Sequence, residues 1–370
     1  MNFIISILFS GFAVSVLVLI PLVGVWALDL KVLFGIIVPY AAMATFFVGI
    51  VVRVIDWGKS PVPFRIPTTA GQEWSFPWVK SSPVDNPKGT GGVIVRMIFE
   101  VLLFRSLFRN TRFEYRSTDG GPKVDYEWEK WLWLAALAFH WSFLVIFLRH
   151  FRFFMEPIPG FVHLLENLDG FLQLGVLPIN GLGVPTVYLT DLLMLAAVTY
   201  LFLRRLYLPQ IRYISLPADY FPLFLILALG LTGVLMRYFL RVDITAVKQL
   251  VIGLFKFSPT VPEGIGVIFY IHLFILSVLI AYFPFSKLMH FAGVFLSPTR
   301  NLSNNSRFVR HVNPWDYPVA THTYEEYEDE FRERMIEAGL PVEKGLEPKE
   351  EPKEEPKEEP KEEAKETEKE

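Results

Sequence analysis

Four histidines occur in two strongly apolar segments, and their spacing suggests a specific chemistry. His140 and His150 lie in one segment, and His272 and His290 lie in the other. An ionisable side chain inside a membrane needs a partner, so it indicates function. On an α-helix, residues 18 positions apart share a face and residues 10 positions apart lie about 80° from each other. Each segment can therefore present two imidazoles at two depths, as two stacked six-coordinate b-type haems require.

The two intervals differ in length. A separation of 10 residues spans about 15 Å of helix, and one of 18 residues spans about 27 Å. Parallel haems need similar spacing on both helices, so one helix must tilt or bend. Pro284 lies between His272 and His290 and predicts the bend. Any single histidine here would more often be a hydrogen-bonded interior residue, so the interpretation depends on the four together.

The composition is that of a membrane protein. Hydrophobic residues make up 52% of the 370 residues, 34 of which are phenylalanine, and the mean hydropathy is +0.37. These values are too high for a soluble protein of this length. The chain has no cysteine, which excludes thiolate-held iron–sulfur clusters, covalently attached c-type haem and disulfides. Any iron–sulfur chemistry must therefore belong to a partner.

Runs of about 20 apolar residues, each long enough to cross the ~30 Å hydrocarbon core, predict six transmembrane helices. The predicted fold class is an all-α polytopic membrane protein with a four-helix di-haem bundle and a disordered, charged C-terminal tail. The predicted spans are 3–26, 31–54, 129–151, 187–207, 218–240 and 264–290. Two shorter segments, 92–109 and 243–257, have the pattern of amphipathic helices on a membrane surface.

The same patterns divide the chain into five parts. The C-terminal part is expected to dock a partner because Trp315, Tyr324 and Tyr327 are interleaved with charge. The final Pro-Lys-Glu-Glu repeat has no apolar residues to offset ordering entropy, which predicts disorder. The parts are two N-terminal spans (1–55), a cytoplasmic loop (56–128), the di-haem domain (129–296), a docking segment (297–345) and a disordered tail (346–370).

Orientation follows from lysine and arginine, which favour the cytoplasmic side. They are frequent in the loop 53–128, in 203–217 and after residue 290, and they are absent from 153–186. With six spans, both termini are then cytoplasmic, and the two histidine-bearing helices are antiparallel. This topology predicts that His150 and His272 share the outer haem iron, and that His140 and His290 share the inner one.

Haem propionates are anionic, so cations beside the ligands are candidate partners. Each candidate could equally be a positively charged helix end. The candidates are Arg149, Arg152, Arg237 and Arg241 on the outer side and Lys287 on the inner side.

Evidence for a quinone site is weaker. His163 and Asp191 are ionisable groups on the predicted outer side that could exchange protons with a quinone. His163 could equally be a solvated loop residue, and Asp191 could cap the fourth helix, a position that aspartate favours. His311 and His322 are interpreted as surface residues of the C-terminal part.

Two other classes of function stay open. A haem-free transporter or proton-conducting membrane subunit could use buried histidine, arginine and aspartate, and a structural anchor could keep the histidines only for packing. The sequence contains no Gly-rich phosphate loop, nucleophile elbow or metal-hydrolase motif. It also contains no nucleic-acid-binding module, so no nucleic acid is expected as a partner.

The two histidine pairs, together with the sequence FPFSKLMH at 283–290, resemble the NarI-like di-haem cytochromes b, the gamma subunits of respiratory nitrate reductase, over about 125–300. Four further stretches resemble more narrowly the DsrM (HmeC) subunits of DsrMKJOP, which are Hdr-like menaquinol oxidoreductase complexes. That resemblance extends over nearly the whole chain, to about residue 345. The stretches are PVPFRIPTT at 61–69, FRSLFRNT at 104–111, SPTRN at 297–301 and HVNPWD at 311–316.

The resemblance implies a multi-pass subunit of the cytoplasmic membrane that holds two haem b groups and exchanges electrons with menaquinone at the outer haem. It implies docking of a cytoplasmic iron–sulfur subunit related to heterodisulfide reductase, beside other membrane and exoplasmic redox subunits, in dissimilatory sulfate or sulfite respiration. Such a subunit is part of an oxidoreductase and does not act alone on the final acceptor. The extra N-terminal span and the long loop 53–128 depart from the nitrate-reducing type, so nitrate is not implied.

Overall fold

The computed structural model describes residues 3–60, 78, 82–118, 120–172, 186–305 and 320–345. The chain divides into two compact units, Met1–Trp315 and Asp316–Glu370. Trp315 of the predicted docking segment, His311 and the predicted disordered tail 346–370 lie outside the described residues.

Helices dominate the first unit. Two π-helical turns are also present: Leu33–Ile37 precedes the helix that begins at Val38, and Leu235–Phe239 follows the helix that ends at Val234. Helices α1 to α6 occupy Phe3–Trp26, Val38–Gly58, Thr90–Leu103, Arg105–Phe108, Lys130–Arg149 and Gly160–Asp169. Helices α7 to α13 occupy Leu189–Tyr207, Pro209–Ile214, Pro217–Val234, Ile244–Phe255, Val267–Tyr282, His290–Leu296 and Pro298–Asn301. Strands β1 to β4 occupy Thr111–Thr118, Gly121–Trp128, Gly170–Leu172 and Val187–Tyr188.

Five helical segments in the described residues are long and apolar enough to cross a membrane: Phe3–Trp26, Leu33–Gly58, Lys130–Phe153, Pro217–Phe239 and Val267–Phe285. The sixth predicted span forms α7, which contains Asp191, Arg204 and Arg205. These charges explain why α7 is not among the five. The protein is an all-α polytopic membrane protein, and the number of six spans stays a prediction.

Each membrane helix packs on at least one of the others. α1 packs against α9 and α11, α11 also packs against α2, and α7 lies between α5 and α9. At Gly230 of α9, an added Cβ would come 2.5 Å from the methyl group of Met194 on α7. The glycine therefore lets these two helices approach closely, the kind of contact that drives helix association in lipid.

The predicted bend at Pro284 is confirmed, and it is a complete break in the helix. α11 ends at Tyr282, and two 3₁₀ turns, Phe283–Phe285 and Lys287–Met289, precede α12. Between the turns, Ser286 is extended (φ −117°, ψ 175°) and its hydroxyl accepts a hydrogen bond from the N–H of Leu288 at 3.2 Å. The predicted span 264–290 is therefore divided at its bend, because proline lacks the N–H and crowds the preceding turn.

The loop between the second and third membrane helices is more structured than predicted. β1 and β2 form an antiparallel hairpin in which Phe113 lies opposite Tyr126. Gly121 begins β2 with φ 102°, a conformation that glycine adopts without strain. The predicted amphipathic helix 92–109 is present as α3 and α4.

The end of α3 does not lie at the end of the membrane helix α5 but along its side. The indole N–H of Trp133 donates to the carbonyl of Leu103 at 2.7 Å, and that of Trp141 donates to Leu102 at 3.1 Å. The expectation of a helix lying flat on the membrane is therefore modified, because the C-terminal end of α3 packs against the first half of α5.

The second unit contains one helix among its described residues. This helix, α14, spans Tyr324–Glu337, close to the helical pattern predicted at 324–338.

In the first unit, the other predicted amphipathic helix, 243–257, corresponds to α10. Its N-terminus is capped by Asp243, which accepts hydrogen bonds from the N–H groups of Thr245 and Ala246.

Candidate di-haem site

The predicted inner pair, His140 and His290, is brought together by the fold. His140 lies in the middle of α5 and His290 is the first residue of α12. Their imidazole rings are 5.9 Å apart between centroids, with an interplanar angle of 85°. The Nδ1 atom of His140 lies 2.7 Å from the carbonyl oxygen of Ala136, and that of His290 lies 2.9 Å from the carbonyl oxygen of Lys287.

The predicted outer pair is His150 and His272, which lie at the end of α5 and near the beginning of α11. His150 follows the last residue of α5, and its Nδ1 atom lies 2.7 Å from the carbonyl oxygen of Ile146. His272 lies on α11, and its Nδ1 atom lies 2.9 Å from the hydroxyl of Thr232 on α9. That hydroxyl donates its own proton to the carbonyl of Ala228 at 2.9 Å, so its oxygen accepts from His272.

All four imidazoles therefore have the same tautomer. A carbonyl oxygen can only accept a hydrogen bond, so the Nδ1 atoms of His140, His150 and His290 carry the proton. The Nδ1 of His272 carries it as well, because the hydroxyl of Thr232 uses its own proton on a carbonyl oxygen. Each Nε2 then carries a lone pair, and no described residue donates a hydrogen bond to it. An imidazole fixed through Nδ1–H with a free Nε2 is the usual arrangement of a histidine that binds a metal.

The surroundings of these rings fit a planar macrocycle. α5 packs on α7, α7 on α9 and α9 on α11, whereas α5 and α11 do not pack closely on each other within the described residues. His140 and His290 are both exposed, which leaves their rings accessible. At Gly233, an added Cβ would lie 3.4 Å from Cε1 of His272, so the glycine keeps space open beside this ring. The described residues contain no cluster of three or more metal-binding side chains, but a b-type haem needs only two axial ligands from the protein.

Arg149, one predicted propionate partner, is already ion-paired. Its guanidinium lies 3.3 Å from a carboxylate oxygen of Asp169 and 2.5 Å from one of Asp191. The hydroxyl of Tyr238 donates to the second oxygen of Asp191 at 2.8 Å. The side chains of all three charged residues are nearly buried, with 5–13% of their area exposed. Arg149 and its two carboxylates thus form a closed network beside His150.

Arg237 differs from the other predicted cations. Its guanidinium stacks 4.1 Å from the ring centroid of Tyr188, and Arg149 stacks 3.8 Å from the same centroid. No carboxylate among the described residues lies within ion-pair distance of Arg237, and its Nε is buried without a hydrogen bond. Lys287, by contrast, lies 2.6 Å from Asp219. Of Arg149, Arg237 and Lys287, it is therefore Arg237 whose positive charge is available to an added anion.

The two predicted quinone-site residues are not brought together. His163 lies on α6 with 57% of its side chain exposed, and its nearest ionic neighbour is Glu166 at 3.9 Å. Glu166 also accepts a hydrogen bond from Arg152 at 2.7 Å. Asp191 belongs to the network of Arg149, and it does not cap α7, whose N-cap residue is Tyr188 without a side-chain bond.

Sequence reasoning missed three residues of this site. Thr232 fixes the ring of His272 from another helix, Asp169 shares Arg149 with Asp191, and Phe104 lies against His140 with 4.9 Å between the ring centroids. A threonine in an otherwise apolar span was a usable signal, because a buried hydroxyl needs a partner. The other two contacts depend on tertiary structure.

Comparison with known proteins agrees with this geometry. The sequence matches the nitrate reductase gamma subunit family over residues 97–311. The chain belongs to this family. The matched region contains all four candidate ligands, and it begins earlier than the resemblance carried by the histidine motifs, since it includes the second half of α3.

Two archaeal relatives of the chain are more similar still. The chain is 44% identical to the "Hdr-like menaquinol oxidoreductase cytochrome b-like subunit" of Archaeoglobus fulgidus over 292 residues, which cover 77% of this chain and 84% of the relative. It is 43% identical to the protein of the same description in Archaeoglobus profundus over 284 residues, which cover 75% and 81%. Both relatives agree with the DsrM-like resemblance.

Proposed function

We propose that this chain is the membrane cytochrome b subunit of a menaquinol oxidoreductase, with two haem b groups that link menaquinone to a cytoplasmic iron–sulfur subunit. The observation that carries the proposal is the common state of four histidines, each fixed through Nδ1 and each with a free Nε2. The names of the two archaeal relatives supply the menaquinol and the oxidoreductase class.

In this function the protein would hold the two haem groups, orient them and separate them from their surroundings. Bound haem would supply two one-electron redox centres at different depths. His140 and His290 would bind one iron, and His150 and His272 the other. Arg237 would neutralise a propionate, because its Nε is buried without a hydrogen bond and no carboxylate of the described residues lies within ion-pair distance of it. Thr232 would keep His272 in the tautomer that binds metal.

The wider setting belongs to the same proposal. The chain would lie in the cytoplasmic membrane with both termini in the cytoplasm, in a complex with a subunit related to heterodisulfide reductase and with exoplasmic redox subunits. Sulfate or sulfite respiration is the proposed context. The quinone site would lie on the outer side, with His163 and Asp191 as candidates for proton exchange, although the network around Arg149 occupies Asp191 in this structure.

Absorption spectroscopy of the purified protein tests the haem assignment. Reduced protein should show b-type bands, and a haem extraction assay should give two haems per chain. Replacing any of the four ligands with alanine should lower this content, while His322→Ala, at an exposed position of the second unit, should not change it. Colourless protein that binds no added haem would contradict the proposal and favour the haem-free transporter.

Proteoliposomes containing the whole complex test the side of the quinone site. Oxidation of an outer quinol should acidify the compartment that faces residues 153–186. Each elementary charge that crosses the full potential involves ~2.3 kcal/mol per 100 mV, so the side of the site decides how electron transfer is coupled to the membrane potential. Proton release on the opposite side would contradict the outer placement.

A further inference from the structure

Helix α14 presents an aromatic stripe in which two residues are exposed and Phe331 is half-buried. At about 100° per residue, Tyr324, Tyr327 and Phe331 fall along one line on its surface. Tyr324 and Tyr327 are 53% and 49% exposed, and the rings of Tyr327 and Phe331 lie 5.0 Å apart. Apolar residues at positions i, i+3 and i+7 are the anchors by which amphipathic helices bind in grooves of other proteins.

The neighbouring face of α14 is covered by the chain that follows it. The carboxylate of Glu328 accepts hydrogen bonds from the backbone N–H groups of Glu343 at 2.9 Å and Lys344 at 2.8 Å. Glu328 and Met335 are buried, at 2% and 8% exposure, and a capping box at Thr323 closes the N-terminus. The helix is therefore ordered before it meets a partner, which lowers the entropic cost of binding.

The remaining face of α14 is acidic. The helix contains seven acidic and two basic residues, a net charge of −5. Five of the acidic residues lie on the side away from the aromatic stripe: Glu325, Glu326, Asp329, Glu333 and Glu337. Anionic lipid surfaces and nucleic acids would repel this helix. The charge therefore favours a protein as the occupant of the stripe.

We infer that α14 docks through Tyr324, Tyr327 and Phe331 into an apolar groove bordered by lysine and arginine on the cytoplasmic redox partner. The identity of that partner rests on the proposed function; the chemistry of its groove follows from α14. Glu330 lies about 60° from Tyr327 around the helix, at the border of the stripe, whereas Glu333 lies on the far side. The basic residues of the groove should therefore face Glu330.

Variants of the full-length chain, purified as a complex with the partner, test the inference. The double variant Tyr327→Ala, Phe331→Ala should weaken retention of the partner at least tenfold, because aromatic anchors dominate interface energies. Glu330→Lys should weaken it as well, and raised salt should weaken the wild type more than Glu330→Lys. Glu333→Lys is the matched control and should behave as the wild type does.

Wild-type retention by the double variant would overturn the inference, and so would equal losses with Glu330→Lys and Glu333→Lys. In nanodiscs without the partner, α14 should stay open to protease, and protection there would assign the stripe to lipid instead. The b-type bands of the same samples report separately on the proposed function, since none of these residues lies near the four histidines in sequence. Normal b-type bands together with full retention of the partner by the double variant would reject the proposed docking site and leave the proposed function standing.

Discussion

The ring of Phe104 meets the imidazole of His140 edge-on, with 4.9 Å between the ring centroids. Phe104 lies between α3 and α4 with φ 50° and ψ 48°, a left-handed conformation that costs a residue with a side chain about 1–2 kcal/mol. The hydrogen bond from Trp133 to the adjacent carbonyl of Leu103 holds the segment against α5. The loop between the second and third membrane helices therefore reaches one of the candidate haem ligands directly.

Replacement of Phe104 should affect the inner haem alone. In Phe104→Ala the imidazole of His140 loses the contact that limits its rotation, so the midpoint potential and the electron paramagnetic resonance signal of the inner haem should shift. The outer haem should keep its signal. Phe113→Ala, at an exposed position of the β1–β2 hairpin, is the control, and an identical change in both variants would show that the contact has no specific role.

The ligand pairing can be tested by single substitutions. Because the rings of His140 and His290 face each other at 5.9 Å, His140→Ala and His290→Ala should remove the same spectral component. His150→Ala and His272→Ala should both remove the other component. If the loss in His150→Ala matched that in His290→Ala, the antiparallel topology would be wrong. Low-temperature absorption spectra of the four variants decide between these patterns.

Thr232 should be needed for the outer haem. Thr232→Val keeps the shape of the side chain but removes the oxygen that accepts the Nδ1–H of His272. Loss of such a supporting hydrogen bond lowers metal affinity by about 10–100-fold. The measurement is the haem content after dilution or competition with apomyoglobin. Among the described residues, the hydroxyl of Ser277 on α11 bonds only to the carbonyl of Leu273 on its own helix. Ser277→Ala is therefore the control and should leave the haem content unchanged.

Arg149 and Arg237 should differ in their effect on stability. Arg149→Met leaves Asp169 and Asp191 buried without their cation, and breaking a buried ion pair in this way costs about 3–5 kcal/mol. Arg237→Gln strands no carboxylate, so it should lower the melting temperature much less and shift the outer haem potential instead. Thermal unfolding in detergent and redox titration measure the two effects. Equal destabilisation by both variants would argue against the network.

The loop segment 82–109 should show a pH dependence set by Asp85. Burial alone would raise the pKa of this carboxyl, but hydrogen bonds from Arg105 and Arg109 outweigh burial and lower the pKa to about 2. A lowered folded-state pKa stabilises the loop above the unfolded value of about 3.9, and this stabilisation is lost as the pH falls through about 2.

At pH 7, Asp85→Asn should therefore make residues 82–109 more sensitive to trypsin than the wild type. Below pH 4 the wild type should become progressively more like the variant, which pepsin digestion at pH 4 and pH 2 can measure. Asp125→Asn, in the exposed hairpin, is the control. A difference between wild type and Asp85→Asn that persists unchanged at pH 2 would contradict the assignment of the pKa.

Membrane helices and the break at Pro284 were predictable because they depend on local sequence: apolar length in one case and the missing N–H of proline in the other. The close approach of the rings of His140 and His290 agrees with the antiparallel spans predicted from the loop charges, while their sharing of one haem iron stays a prediction. The helical phase between His272 and His290 was not, because a hydrogen bond to Ser286 and two 3₁₀ turns replace the regular helix.

Contacts between distant parts of the chain escaped prediction for a different reason. Asp169 meets Arg149 only because α6 folds back onto the end of α5, and no local pattern marks that approach. The position of Phe104 depends likewise on α3 packing along α5. The β1–β2 hairpin was missed although residues 111–118 and 121–128 alternate in the manner of strands, because the apolar segments around them dominated the interpretation of the loop.

The break after α11 gives two of the candidate ligands, His272 and His290, mechanically separate supports. His272 is fixed within the membrane by Thr232, whereas His290 begins α12, which packs on α13. α13 is bound in turn to α3, where Arg96 donates to the carbonyl of Thr299 at 3.1 Å. A displacement of α3 would thus be transmitted through α13 to His290 and not by this route to His272, so in the proposed pairing it would act first on the iron that His290 binds.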